Sequence, residues 1–313
     1  MWKTTTAPPC SAGSVVRTSR LPPTLKLRGI KRKTMFKTPS LTELLEAGVH
    51  FGHQASRWHP KMAPFIFGVK SGIHIVNVEE TKKRLEIALE FVKGIVARGG
   101  NVLFVGTKQQ ARGFVKKYAI EAGMPYVNER WLGGTLTNFV EIKRVVKRLI
   151  DLKDQTAKGE LKKYTKKEQI WIARDIEDME RKVGGIQTMM QVPDALFIVD
   201  VRAEKTALAE AIGKKIPVIA MVDTNVNPRD VAYPIPANDD GSKSIELILS
   251  FVAEAIKEGR AHGVAMAAEA MKEKEEEKPE VEEQVIASAK EEVAVLDEKL
   301  TEERAKLAQE EKK

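Results

Sequence analysis

The sequence predicts an α/β protein with a doubly wound parallel sheet and an inserted α-helical coiled-coil hairpin. Short, continuous apolar runs at 101–106, 195–200 and 217–223 are typical of strands buried in a parallel sheet. Segments with helical periodicity alternate with these runs, and this order predicts helices on both faces of the sheet. Between the two halves, residues of about 136–188 carry apolar side chains at spacings of three and four, which indicates a pair of helices.

The elements before the first buried strand are marked by local signals. Ser40-Leu-Thr-Glu43 is a capping box that begins a short helix through about Ala47. Phe65–Phe67 and Ile73–Val76 are rich in β-formers and separated by glycines, which predicts two short strands or a hairpin. The other predicted elements are a helix at 78–98, a helix at 109–122, a short strand at 125–127 and a helix at 206–213.

The inserted hairpin is predicted from two apolar seams joined by a turn around Ala157-Lys-Gly159. The seams consist of Phe139, Ile142, Val146 and Leu149, and of Ile172, Ile176, Met179, Val183 and Ile186. Basic residues on the outside of the hairpin include Lys143, Arg144 and Lys147. Two interpretations stay open for them, a solvated face or a surface that contacts RNA.

Charge divides the 313 residues into three parts. Residues 1–34 hold eight basic and no acidic residues, and residues 264–313 hold sixteen acidic and nine basic ones. We expect a disordered basic extension, a domain over 35–263 that contains the hairpin, and a charged Ala/Glu/Lys-rich tail. The extension is typical of a transit peptide, or else Met35 is the natural start. The domain is mildly basic, which suggests an anionic partner such as nucleic acid, and ordinary solubilising charge stays an open alternative.

Several classes of protein are disfavoured by composition. No apolar run approaches the roughly 20 residues of a membrane span, so we expect a soluble protein. The single cysteine, Cys10, excludes an internal disulfide and a cysteine-paired zinc module. The segment 105–113 has the spacing of neither a phosphate loop nor a dinucleotide-binding turn. Asp200 and Asp223 follow buried strands, where they either cap the next loops or line a ligand site.

Three of the five histidines fall in the stretch GVHFGHQASRWHPK, residues 48–61. His50 and His53 are three apart with Gly52 between them, which does not match the helical spacing of a zinc site, so no metal is predicted. Arg57, Lys61 and the stackable Trp58 instead suit contacts with phosphates and bases.

A second informative stretch is Glu129-Arg-Trp-Leu-Gly-Gly-Thr-Leu-Thr-Asn138. Its glycines precede the start of a predicted helix. The first backbone amides of a helix lack internal partners and favour an anion. The same residues could serve only as the hinge into the hairpin, and both interpretations can hold together.

Several blocks in order resemble the small-subunit ribosomal protein two family in its bacterial or organellar form, from about Phe36 to Gly263. They are Ala47-Gly-Val-His-Phe-Gly-His53, Trp58-His-Pro-Lys-Met-Ala-Pro-Phe-Ile66, Val105-Gly-Thr-Lys108, Arg130-Trp-Leu-Gly-Gly-Thr-Leu-Thr-Asn138, Pro193-Asp-Ala-Leu196, Ile216-Pro-Val218, Asp223-Thr-Asn225 and Tyr233-Pro-Ile-Pro-Ala-Asn-Asp-Asp240. The chain departs from the family at Val201, where proline is usual, and at Val226-Asn227, where Cys-Asp is common. These departures weaken a ligand or ion role for that loop.

The resemblance implies a flavodoxin-like body and a structural role in the small (30S) subunit, without catalysis, cofactor, metal or small-molecule substrate. The implied partners are small-subunit rRNA and neighbouring ribosomal proteins, including the large mRNA-binding one, whose docking the protein supports during translation. We therefore expect a ribosome-bound protein of the bacterial cytoplasm or an organelle, and no membrane partner. The candidate rRNA-binding residues are His50, Gly52, His53, Arg57, Trp58, Lys61, Arg130, Trp131, Lys143, Arg144 and Lys147.

Two other classes of function compete with this interpretation. A nucleotide-dependent α/β enzyme would fit the predicted sheet, but the sequence lacks a phosphate-binding fingerprint. An accessory adhesion or partner-binding protein outside the ribosome would fit the extra roles that eukaryotic relatives of the family have acquired.

Overall fold

A computed structural model describes residues 38–266 of the chain. The predicted extension at 1–34 and the tail beyond residue 266 lie outside this range, while residues 264–266 continue the last described helix. Within 38–266, none of the helices has both the length and the apolar character that a bilayer span would require.

The elements predicted from the sequence are present along residues 38–266. The helices are α1 (Leu41–Glu46), α2 (Val78–Ala97), α3 (Arg112–Ala122), α4 (Phe139–Ala157), α5 (Lys166–Val183), α6 (Lys205–Lys214) and α7 (242–266). The strands are β1 (Phe51–Gln54), β2 (Ile66–Lys70), β3 (Ile73–Val76), β4 (Val102–Val105), β5 (Tyr126–Val127), β6 (Ala195–Ile198), β7 (Val218–Val222) and β8 (Tyr233–Pro236). Of these, β1, β8 and α7 occur in addition to the predicted elements.

The main sheet has five parallel strands in the order β5-β4-β6-β7-β8, which confirms the predicted parallel sheet. Val102 lies opposite Ala195, and Leu196 lies opposite Val218. Numbered from β4, this order is 2-1-3-4-5, so the sheet is compatible with a flavodoxin-like fold. The chain reverses direction across the sheet between β4 and β6, and the loops after these strands meet at the carboxyl edge.

Both faces of the sheet are buried, because alternate side chains along each strand enter different cores. Phe104 and Phe197 pack with apolar residues of α2, α3 and α7. Leu103 and Leu196 pack with residues of α6 and with the inner ends of α4 and α5. Helices therefore cover both faces, as the alternation of strands and helices predicts.

A second sheet of three antiparallel strands, in the order β1-β3-β2, precedes the main one. The predicted pair of strands is present as β2 and β3, joined by a tight turn at Ser71 and Gly72, both with positive φ. Strand β1 falls on the histidine stretch and was not expected there. The sheet places this stretch beside the carboxyl edge of the parallel strands, where His53 bonds to Thr224.

Helices α4 and α5 form the insertion between β5 and β6 and contact each other. Arg148 pairs with Asp175 at 3.5 Å, and Lys153 pairs with Glu180 at 2.7 Å. Thr165 and Glu168 form a capping box that begins α5. The helices lie within the predicted limits of about 136–188, whereas their coiled-coil packing stays a prediction.

Candidate nucleic-acid interface

Three loops meet at the carboxyl edge of the sheet, and their contacts hold the candidate site together. The β1 segment is joined to the loop after β7 by two backbone donors, His53 to the Thr224 hydroxyl at 2.9 Å and His59 to the Thr224 carbonyl at 2.8 Å. Gly52 allows this approach, because a Cβ atom there would lie 2.6 Å from the Thr224 Cγ2 atom. The third loop, after β6, carries Asp200 and Glu204.

An ionic cluster fills the interior of this junction around the Lys108 ammonium. The Lys108 Nζ atom lies 2.8 Å from Asp239, 2.6 Å from Asp240 and 3.4 Å from Asp200. Burial opposes the charge of Lys108, but hydrogen bonds to the two neighbouring aspartates outweigh it and raise the lysine pKa. Burial, with repulsion from Asp200 and Asp223, raises the pKa of Asp239 to about 7. The cluster therefore has more carboxylates than cations to neutralise them.

His53 belongs to the same ionic cluster and faces inward. Its Nδ1 atom lies 3.0 Å from Asp223, and its Nε2 atom lies 3.4 Å from Asp240. The hydrogen bond with Asp223 raises the pKa of His53 against the opposing effect of burial. His53, Asp223 and Asp239 offer ligand atoms within 4.8 Å of one another, so these residues could hold a metal ion. Lys108 already supplies a positive charge to the carboxylates of this group.

The strand-end aspartates also organise the loops that follow them. The Asp200 Oδ1 atom accepts hydrogen bonds from the amides of Arg202 at 2.8 Å and Ala203 at 3.1 Å. The Asp223 Oδ1 atom accepts one from the Thr224 amide at 2.5 Å. This geometry favours the capping interpretation of the two residues.

The candidates His50 and Gly52 also lie on the inner side of the histidine stretch. The His50 Nδ1 atom is buried and bonds to no described residue. The ring lies 4.0 Å from that of Phe51, and burial lowers the pKa of His50. Gly52 faces Thr224. Together with His53, these residues support the loop junction rather than forming an exposed cationic surface.

The outer side of the same junction is basic and exposed. Arg57 and Lys61 are exposed, and 40% of the Trp58 surface is accessible. Trp58 lies beside a groove of about 750 Å³ that is formed by all three loops and by α6. The polar and aromatic residues that line this groove are Arg57, Trp58, Arg202, Lys205, Asn225, Asn227 and Asp230. We call it the Trp58 groove.

Sequence reasoning selected only Arg57 and Trp58 of these lining residues. Arg202, Lys205 and Asn225 were missed, although each follows a strand that ends at the carboxyl edge. That position was the available signal, because the loops after neighbouring parallel strands meet in space.

The Arg130–Asn138 stretch is held by an anion, and the anion is the protein's own Glu210. The Glu210 carboxylate accepts hydrogen bonds from the amides of Gly134 at 2.8 Å, Leu136 at 3.0 Å and Thr137 at 3.2 Å. Burial opposes the ionisation of Glu210, but these bonds outweigh it and lower its pKa. The predicted amide donors are therefore already used inside the protein.

The two candidates before this turn differ in exposure. Trp131 is 8% exposed, and its indole nitrogen donates to Glu210 at 3.1 Å. It anchors the turn and offers no open ring face. Arg130 is exposed beside it and stays available to a partner.

The candidates on α4 are all exposed. Lys143 and Lys147 make no ion pair with a carboxylate in residues 38–266, and the Lys143 ammonium lies 5.1 Å from the centre of the Phe139 ring. Arg144 is paired with Glu141 at 2.5 Å. Lys143 and Lys147 therefore present positive charges on the insertion that no carboxylate of residues 38–266 pairs with.

The chain was also compared with known protein families. A family model described as ribosomal protein S2 matches residues 44–259, which is more than half of the chain. The matched range contains both sheets, the α4–α5 insertion and every candidate residue named above.

Proposed function

The chain belongs to the ribosomal protein S2 family, and from this premise we propose that it binds small-subunit rRNA directly. The family is one of structural ribosomal proteins rather than enzymes, and the chain has a structural role in the small ribosomal subunit. We propose further that it acts without a cofactor, a small-molecule substrate or catalysis. The host compartment that fits is the bacterial cytoplasm or an organelle.

The observation that carries the proposal is the set of open charges beside Trp58. Arg57 and Lys61 are exposed, and neither forms an ion pair with a carboxylate of the described residues. Cationic side chains without an internal partner can replace the counterions of RNA phosphates, and this exchange supplies much of the affinity for nucleic acid. The nearby aromatic ring adds a surface on which a base can stack.

The α4–α5 insertion supplies a second basic surface. Lys143 and Lys147 are one helical turn apart on α4, so their ammonium groups can follow one stretch of RNA backbone. We propose that this face, with the helices packed as a coiled coil, is the second rRNA contact. Arg144 contributes less, because Glu141 already neutralises it.

Docking of the large mRNA-binding ribosomal protein needs a surface of different chemistry. The small antiparallel sheet carries exposed apolar side chains, namely Phe51 at 49%, Phe67 at 80% and Val69 at 56% exposure. Exposed apolar patches of this kind are typical of protein interfaces. We therefore assign protein docking to the small sheet and RNA binding to the basic surfaces.

The test of the RNA contact is the salt dependence of rRNA binding by the Arg57→Ala/Lys61→Ala variant. Each lost phosphate contact should reduce the slope of log affinity against log salt by about one unit. Lys116→Ala/Lys243→Ala is the matched control, because both lysines are exposed and neither pairs with a carboxylate of the described residues. An unchanged slope in the first variant would remove these residues from the RNA-binding face.

Sedimentation of the protein from its own lysate tests the wider assignment. Co-migration with small subunits that is lost as salt rises is the expected result for a protein held by rRNA phosphates. A pool that stays free at every salt concentration would instead favour an accessory role outside the ribosome.

A further inference from the structure

We propose that the Trp58 groove is a subsite for one unpaired nucleotide of the RNA, with the base stacked on Trp58 and the phosphate held by Arg57, Arg202 and Lys205. This inference rests on the proposed function, because it specifies which part of the RNA enters the site. Arg202 and Lys205 belong to the loop after β6 and to α6, so the subsite extends well beyond the histidine stretch.

The size of the groove suits a single nucleotide. Its volume of about 750 Å³ lies within the range of sites that hold small organic molecules. Leu208 and Ile212 of α6 supply an apolar wall, and Asn225 and Asn227 supply amide groups. A paired base has no free face to offer, so the groove fits a base that has left its helix.

Trp58 is placed to act as a stacking platform. The His74 ring lies 5.2 Å from it at 39°, and this contact supports the indole ring. The side chain nevertheless keeps 40% of its surface accessible. Stacking on an exposed aromatic ring is available to every base, so the site needs no particular sequence.

Three cations and one carboxylate, Asp230, line the groove, so its net charge is positive. Arg57, Arg202 and Lys205 are exposed, and none pairs with a carboxylate in the described range. Lys205 begins α6, a ten-residue helix whose N-cap, Glu204, makes no capping bond with its side chain. That carboxylate instead accepts from the Thr107 amide at 3.0 Å. The Glu204 side chain therefore leaves the first turn of α6 uncapped, and Lys205 brings this helix N-terminus to the groove.

Asn225 provides an independent sign of a missing partner. Its Oδ1 atom is buried and accepts no hydrogen bond from any residue of 38–266. A buried acceptor without a donor is costly, so rotation of this amide towards a bound base would break no hydrogen bond at Oδ1. Asp230, the acidic residue among those lining the groove, is a further acceptor for a base amino group.

The first experiment is ultraviolet cross-linking of intact small subunits that contain the full chain, followed by nuclease and protease digestion and mass spectrometry. We expect a single-nucleotide adduct on the peptide that contains Trp58 or on the one that contains Arg202 and Lys205. Adducts confined to other peptides of this chain, or a cross-link from Trp58 to another ribosomal protein, would overturn the proposal.

Variants give a second measurement that does not depend on photochemistry. Trp58→Leu should weaken binding to purified small-subunit rRNA by about fivefold to a hundredfold, and Trp58→Phe should restore much of it. Phe67→Leu is the control, since Phe67 lies on β2 with 80% of its surface exposed and is assigned to protein docking rather than RNA binding.

The outcomes separate this proposal from the proposed function. Wild-type protein that fails to bind rRNA would overturn both. Wild-type binding that Trp58→Leu leaves unchanged would overturn the nucleotide subsite alone. Equal losses in Trp58→Leu and Phe67→Leu would also overturn it, because the effect would not be specific to the groove.

Discussion

The ionic cluster and the Trp58 groove share three chain segments but have opposite character. The β1 segment contributes His53 to the cluster and Arg57 to the groove. The loop after β6 contributes Asp200 to the cluster and Arg202 to the groove. The loop after β7 contributes Asp223 and then Asn225 in the same way. Each loop thus directs one side chain inward and a second outward within a few residues.

The two regions differ in what they contribute, the ionic cluster to stability and the Trp58 groove to binding. Inward groups are paired with one another, so removal of one partner leaves a buried charge without compensation. Outward cations have no ion-pair partner among the described residues. Their removal therefore leaves no buried charge without compensation. We therefore expect inward substitutions to change the free energy of unfolding and outward ones to change rRNA affinity.

The largest expected effect on stability comes from Lys108→Met. This change leaves Asp200, Asp239 and Asp240 without their shared cation, and breaking a buried pair from one side costs about 3 kcal/mol. Urea unfolding followed by circular dichroism measures it. Lys117→Met is the control, because its pair with Glu246 is exposed and screened by solvent. Equal losses would show that the cluster is no more important than a surface ion pair.

The next largest effect on stability should come from the contact between Gly52 and Thr224, which lies between the two regions. Gly52→Ala places a methyl group 2.6 Å from Thr224 Cγ2 and 3.1 Å from the His74 carbonyl oxygen, so we expect a loss of about 2 kcal/mol. Gly94→Ala is the control, since its Cβ meets nothing within 4 Å and the change favours helix α2. An unchanged free energy of unfolding in Gly52→Ala would mean that the two segments can move apart at little cost.

The pH dependence of stability should reflect the excess of carboxylates in the cluster. Asp239 has a pKa of about 7 in the folded protein, whereas an unfolded aspartate titrates near 4. Between these values the folded state holds a proton that the unfolded chain releases, so the free energy of unfolding falls as pH rises towards 7. His53, whose pKa is raised by Asp223, adds to the fall at the upper end.

Urea unfolding in EDTA buffer at several pH values between 5 and 8 measures this slope. Asp239→Asn removes the titrating group, so its curve should be flatter than that of the wild type. Parallel curves would show that Asp239 ionises as it does in the unfolded chain.

The smallest effect on stability should come from the groove. Arg202→Ala/Lys205→Ala removes two exposed cations and should alter the free energy of unfolding by no more than about 0.5 kcal/mol. The same variant should bind rRNA less tightly, with a salt slope lower by up to about two units. A clear loss of stability would contradict the separation between inward and outward residues.

The parallel sheet could be predicted because its strands are short apolar runs with all side chains buried, as in Val102–Val105 and Val218–Val222. Strand β1 was missed, since half-buried histidine and glycine show no apolar alternation. Strand β8 was missed as well, because its two prolines are unusual in a strand. Helix α3 begins at Arg112 rather than near residue 109, where a turn precedes it.

The candidate site could be predicted only in part, because its contacts join distant positions. Residue types alone pointed to Arg57, Trp58 and Lys61, and the structure places all three at the surface. The pairing of Lys108 with Asp239 spans 131 positions and has no local signal. Glu210 was likewise hidden, so the sequence could not show that Trp131 and the glycine turn already have their anion.

Helix α6 carries residues that serve two separate sites. Lys205 at its start lines the Trp58 groove. Glu210 lies five positions later and accepts hydrogen bonds from the turn that precedes α4. The rise between them is only about 7.5 Å. Because one short helix carries both residues, the Trp58 groove and the turn that begins α4 lie at a fixed spacing.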